Sequence, residues 1–193
     1  GFEMAKEGPT NAELVMPFPD SGVYAAIGFA QAAGVPYEQA YIHNHYVGRT
    51  FIQPSQSMRN FGVRVKLNPV RSMIANRRIC IVDDSIVRGT TVRTRVVKLR
   101  ELGAREVHFR VSCPPLKHPC FYGINFSSRG ELVAANHPLE ELPGLLNLDS
   151  LHYLTIEGLL RSVSQPDQYC LACFNGEYPV ACEGQCACCG SAE

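Results

Sequence analysis

Residues 79 to 91 read ICIVDDSIVRGTT, an apolar run followed by two adjacent carboxylates and a Gly-Thr-Thr turn. Ile79 to Val82 have the continuous apolar character of a strand buried in a parallel sheet. Behind them TVRTRVVKLREL, residues 91 to 102, puts apolar residues at helical spacing. The loop between the two therefore opens a helix. A helix start offers N–H groups with no intrahelical acceptor and the positive end of the helix dipole, which suits Arg88 to Thr91 to a phosphate. Gly89 lets the backbone approach closely. Asp83 and Asp84 face the same ligand, and carboxylates there would repel a phosphate unless they held hydroxyls or a divalent cation. A ribose 5-phosphate with bound Mg²⁺ supplies both.

Other phosphate motifs are excluded. There is no G-x-x-x-x-G-K-S/T loop and no G-x-G-x-x-G fingerprint. Outward from the central stretch the pattern alternates: a strand near Glu13 to Phe18, a helix near Val23 to Ala33, a strand near Tyr37 to Ile42, then strand 78–82, helix 91–102 and strand 105–113. Such alternation with short connections predicts an α/β fold, a doubly wound parallel sheet with helices on both faces and ligands at the carboxyl ends of the strands. The loop Pro17 to Gly22 and the loop Asp83 to Thr91 both fall on that edge. Residues 1–113 are read as the core. Residues 114–193 are read as a cysteine-containing extension wrapped on the sheet, with Leu151 to Val163 a strand turning into a short helix and the tail poorly ordered.

A chain of 193 residues holds one domain with a substantial core. Its 18 basic and 18 acidic residues balance without a basic block, which argues against a nucleic-acid surface. The cluster Arg93, Arg95, Lys98 and Arg100 is read as a solvated helix face. No apolar run reaches membrane-spanning length and no signal peptide opens the chain, so no membrane partner and a cytoplasmic location, or a plastid one in a plant, are expected. The opening GFEMAKEGPT is helix-like and lacks an initiator Met, and it reads as lying inside a longer chain.

Residues 44 to 59, NHYVGRTFIQPSQSMR, are long for a connection between strands and carry Tyr46, Arg49, Thr50, Gln53 and Ser55. A lid over a polyanion and an ordinary surface excursion both fit that composition. His43 and His45 stand at its start.

Five segments carry a resemblance: PDSG (19–22), HNHYVGRTFIQPSQ (43–56), VKLNPVR (65–71), VDDSIVRGTT (82–91) and PCFYGIN (119–125). The central motif alone resembles the PRPP-binding motif of type I phosphoribosyltransferases. Together the five resemble the glutamine phosphoribosylpyrophosphate amidotransferases, over about residues 3 to 180 and on their phosphoribosyltransferase half. The resemblance implies formation of phosphoribosylamine and pyrophosphate from PRPP and ammonia, the committed step of purine synthesis. By position it implies Ser21, Asp83 and Asp84 at Mg²⁺, Asp20 to Gly22 at the pyrophosphate, Ser85 to Thr91 at the 5-phosphate, and Tyr46 and Arg49 in a closing lid. It implies purine-nucleotide inhibitors and a homo-oligomer. It also implies a separate N-terminal glutaminase domain, with no glutamine use by residues 1–193 themselves.

Six of the nine cysteines lie between Cys170 and Cys189. Metal or cluster binding suits them better than a secreted disulfide framework. The resemblance implies a 4Fe–4S cluster with Cys120, Cys170 and Cys173 as ligands, its fourth ligand upstream of residue 1 or replaced by one of Cys182, Cys186, Cys188 or Cys189. Zinc at the C-x-x-C of Cys170 and Cys173 is the alternative. Cys80 and Cys113 read as small core residues. Two rivals to the catalytic reading stay open: a salvage-type transferase, and a PRPP-binding regulatory or truncated remnant without catalysis.

Overall fold

The computed structural model describes residues 1–43, 67–126 and 128–180. Four parallel strands form its main sheet, β1 (Leu14–Pro17), β4 (Arg78–Asp83), β5 (Glu106–Val111) and β6 (Ser150–Tyr153), in the spatial order β1-β4-β5-β6. A second, two-stranded sheet pairs β2 (Tyr41–His43) with β3 (Leu67–Pro69), antiparallel.

The pleat sorts the strand residues onto two apolar faces. Leu14, Met16, Ile79, Ile81, Val107, Phe109 and Val111 share a core with Val92, Val96 and Leu99 of the helix Thr90–Glu101. Those three lie at i, i+4 and i+7 on one side of a helix otherwise rich in Thr, Arg and Lys, and this spacing makes the segment an amphipathic helix. Val15, Cys80 and Val82 point the other way, against Met4 of α1 (Phe2–Glu7) and Ala26, Phe29 and Ala30 of α2 (Val23–Ala33). Helices thus cover both faces, as the alternation predicts. With α3 at Arg71–Ile74, the helix Thr90–Glu101 is α4. α2 begins and ends where its periodicity places it and stops at Gly34, in the left-handed region at φ 66°.

On the α1 face Arg110 is buried without a carboxylate partner among its hydrogen bonds. Its guanidinium donates to the carbonyls of Gly8 and Pro9, both at 2.7 Å, and to Ser150 Oγ at 3.0 Å. It ties the segment before β1 to the two last strands.

The structure departs from the sequence reading at three places. The strand expected near Tyr37 to Ile42 does not join the parallel sheet. Val15 is bridged to Tyr37, donating to the Pro36 carbonyl and accepting from the Glu38 N–H, and the next donor along β1 would be Pro17, which has no N–H, so the ladder stops before Tyr41 pairs with Pro69. Ser150–Tyr153, assigned to the extension beyond residue 113, is a hydrogen-bonded strand of the main sheet. Of the basic cluster, Arg95 is not simply solvated: its guanidinium stacks over the Phe18 ring at 4.6 Å, and burial lowers its pKa. Arg100 is paired with Asp149 at 2.5 Å.

Beyond β5 a satellite core of Leu116, Phe126 and Leu132 packs against Val87, Cys120, Ala135, Cys173 and Phe174. It joins the loop after β4 to the cysteine-bearing segment. α5 (Val133–Asn136), α6 (Leu142–Leu145), α7 (Ile156–Arg161) and α8 (Ala172–Asn175) complete the described helices.

Candidate functional site

Two loops meet at the carboxyl edge of β1 and β4. The chain leaving β1 is held onto β4 by the Phe18 N–H, which donates to the Val82 carbonyl at 2.8 Å. A Cβ on Gly22 would lie 2.2 Å from that same oxygen, so only glycine lets α2 start this close to the strand. The approach brings Ser21 to Asp83: Ser21 Oγ donates to Asp83 Oδ1 at 3.0 Å, and the Asp84 N–H donates to the same oxygen at 2.9 Å. Residues 62 apart in sequence are thereby joined at one point.

Asp83 is buried, only 9% exposed, at the end of β4. Burial above all, and then the neighbouring Asp84 carboxylate, push its pKa up to about 7, against the lowering effect of the Asp84 N–H and the Ser21 hydroxyl. The Arg95 guanidinium interacts with this carboxyl but does not offset its burial, and a cation directly beside it would reverse the shift. The donors are hard oxygens, two carboxylates and a hydroxyl, which is the set Mg²⁺ takes when substrate oxygens and water complete its shell. The residues present fit Mg²⁺.

The loop then runs into α4. Gly89 is its N-cap in the left-handed region, φ 75°, and no side chain caps the first turn. The opening N–H groups of Thr90 and Thr91 thus have no intrahelical acceptor, and the dipole adds positive potential. A Cβ on Gly89 would meet only the movable Cδ2 end of Leu146, at 2.9 Å, so it is the backbone angle that requires glycine. Arg88 is ion-paired with Glu131, and the Val133 N–H donates to the Val87 carbonyl at 2.8 Å. A cavity of about 470 Å³ lies between the stretch Arg88 to Arg93 and residues Glu131, Val133 and Asn136.

The described part of the predicted site lies on two loops at one sheet edge, Asp20, Ser21 and Gly22 on one and Asp83, Asp84, Ser85, Arg88, Gly89, Thr90 and Thr91 on the other, joined by the contact of Ser21 with Asp83. Tyr46 and Arg49 lie outside the described residues. Glu131 and Val133 were not legible as partners of this loop, since a contact spanning 43 residues leaves no local periodicity.

The cysteines assemble less completely. Cys120 and Cys173 border the satellite core, and the Cys173 thiol is pushed up to about 11 by burial first and then by Cys120 and Cys170. Among the described residues, no three His, Cys, Asp or Glu side chains group at one point, so Cys120, Cys170 and Cys173 do not by themselves fit a cluster. Cys182, Cys186, Cys188 and Cys189 lie outside the described residues. Cys80 is buried in the sheet, its thiol pushed up to about 12 by burial, as befits a core residue.

No family model matches the chain. It is 52% identical over 182 residues to an amidophosphoribosyltransferase of Synechococcus elongatus, covering 94% of this chain and 37% of the relative. The corresponding enzyme of Synechocystis is 55% identical over 181 residues, covering 93% and 37%. Among solved structures, the glutamine PRPP amidotransferase of B. subtilis complexed with ADP and GMP superposes with a TM-score of 0.81 at 50% identity, over 92% of this chain and 40% of that one. The chain spans little more than a third of the length of these relatives. With half its residues identical across nearly its whole length, and with the same parallel sheet and flanking helices, the chain belongs to the amidophosphoribosyltransferase family and corresponds to the family's phosphoribosyltransferase part.

Proposed function

We propose that the chain binds PRPP with Mg²⁺ and transfers its phosphoribosyl group to ammonia, releasing pyrophosphate and forming phosphoribosylamine at the entry to purine synthesis. The observation that carries this is the meeting of Ser21 and Asp83 beside the uncapped start of α4, with a buried carboxyl that calls for a cation. Asp83, Asp84 and Ser21 would hold Mg²⁺, which when bound neutralises pyrophosphate oxygens and so favours its departure. Asp20 to Gly22 approach the pyrophosphate, the backbone of Ser85 to Thr91 takes the 5-phosphate, and the two aspartates accept from the ribose hydroxyls. These anchors hold both ends of the substrate, and they orient the C1 carbon that develops positive charge as the C1–O bond breaks. Tyr46 and Arg49 close the site against water, so that ammonia attacks instead.

In the full-length protein, glutamine would supply the ammonia through a separate glutaminase domain. Purine nucleotides would inhibit, as the ADP and GMP bound to the B. subtilis relative suggest by analogy. The proposal extends to a homo-oligomer, to the cytoplasm, and to a structural 4Fe–4S cluster completed by a cysteine outside the described residues. What supports the cluster is the grouping of Cys120 and Cys173 on one satellite core, itself packed on the phosphate loop.

Calorimetry tests the binding step. PRPP titrated into the chain with Mg²⁺ should give saturable heat that EDTA removes; no heat in either condition with a folded protein would refute the reading.

A further inference from the structure

We propose that the turn Arg129–Asn136 is a brace that sets the phosphate loop, with Glu131 as its positioning side chain. The inference rests on the reading of Ser85 to Thr91 as the 5-phosphate site. Three consecutive loop residues are each held by this turn or its immediate surroundings. The Val87 carbonyl accepts from the Val133 N–H at 2.8 Å. Arg88 is ion-paired with Glu131. Gly89 packs against the side chains of Leu146 and Val133.

The brace is itself stiffened. Asn136 Nδ2 donates to the carbonyls of Arg129, at 2.9 Å, and Leu132, at 2.7 Å, so the 3₁₀ turn Arg129–Glu131 and α5 are locked together by one side chain. Leu132 is fully buried in the satellite core, which anchors the turn from behind. The loop backbone therefore meets an incoming phosphate with its N–H groups already set, and little ordering remains for the ligand to supply. Arg88 is the one loop side chain that the brace holds by charge. Its direction is fixed by Glu131, and a loop arginine left without that carboxylate would sample many rotamers.

The test separates the two ends of the substrate. Ribose 5-phosphate, with Mg²⁺, reads the phosphate loop, whereas Mg²⁺-pyrophosphate reads the Asp20–Gly22 loop. Glu131→Ala should weaken ribose 5-phosphate by about fivefold, the upper range for a partly exposed ion pair, and leave pyrophosphate unchanged. Glu131→Gln, which retains the acceptor oxygen, should recover most of the loss, and Asn136→Ala should reproduce it. Unchanged ribose 5-phosphate affinity in Glu131→Ala, or an equal loss for both ligands, would overturn the brace while leaving the site reading intact. A folded wild type that binds pyrophosphate but not ribose 5-phosphate would overturn the phosphate-loop reading and the brace with it.

Discussion

Replacing Asp83 by Asn should stabilise the ligand-free protein in mild alkali while destroying its affinity for PRPP. The asparagine keeps Oδ1, so it still accepts from Ser21 and from the Asp84 N–H, and only the charge is lost. In the folded chain the Asp83 carboxyl titrates at about 7 against an ordinary 3.8, chiefly because it is buried. The unfolded chain thus ionises it from about pH 4 upward, whereas the folded chain does so only near pH 7. The folded pKa is raised, so the stability associated with a neutral Asp83 is fully present below pH ~4 and is lost as pH rises toward 7. Over the whole interval the loss amounts to ~4 kcal/mol, of which ~3 kcal/mol falls between pH 5 and pH 8. Urea denaturation without Mg²⁺ at these two pH values, on wild type and Asp83→Asn, measures the difference directly. The variant should lose less stability on going to pH 8 by up to ~3 kcal/mol. Adding Mg²⁺ and PRPP should then stabilise wild type and leave the variant unmoved. Parallel pH dependences in the two proteins would refute the argument that a buried carboxyl with a raised pKa is kept here for a cation.

Gly22→Ala should destabilise the chain by ~1–3 kcal/mol, because its Cβ would lie 2.2 Å from a backbone carbonyl that cannot step aside; an unchanged thermal midpoint would contradict the close approach of α2 to β4. Cys170→Ser, at an exposed position, should remove a broad absorption at the edge of the visible from anaerobically prepared full-length protein. Colourless, iron-free wild type with full activity would contradict cluster ligation.

The centre of the fold was open to a reader of the sequence because its signals are local. Ile79 to Val82 are apolar without interruption, and Val92, Val96 and Leu99 follow at helical spacing, so strand, loop and helix are written in one stretch. The same holds for α2, whose bounds Val23 and Ala33 agree with the pattern. Ser150–Tyr153 was harder, because SLHY lies at the sheet edge with three of its four residues only partly buried and its membership depends on pairing with His108 to Val111. The site follows the same division. Asp83 and Asp84 stand out as a pair at a strand end, but the pKa of Asp83 depends on how deeply the fold buries it. Arg95 reads as one cation of a polar helix face until Phe18, 77 positions earlier in the chain, comes to lie beneath it. Glu131 carries no motif at all, and its link to Arg88 exists only because the satellite core folds residues 129 to 136 back onto the loop.

The most direct test of the central claim is pyrophosphate release from PRPP by this chain with Mg²⁺, measured with and without ammonium at alkaline pH. Release that requires both ammonium and Mg²⁺, and that Asp83→Asn abolishes, is the predicted result. A folded wild type that binds PRPP yet releases no pyrophosphate under any ammonium concentration would contradict the assignment of transferase activity and leave a binding protein in its place.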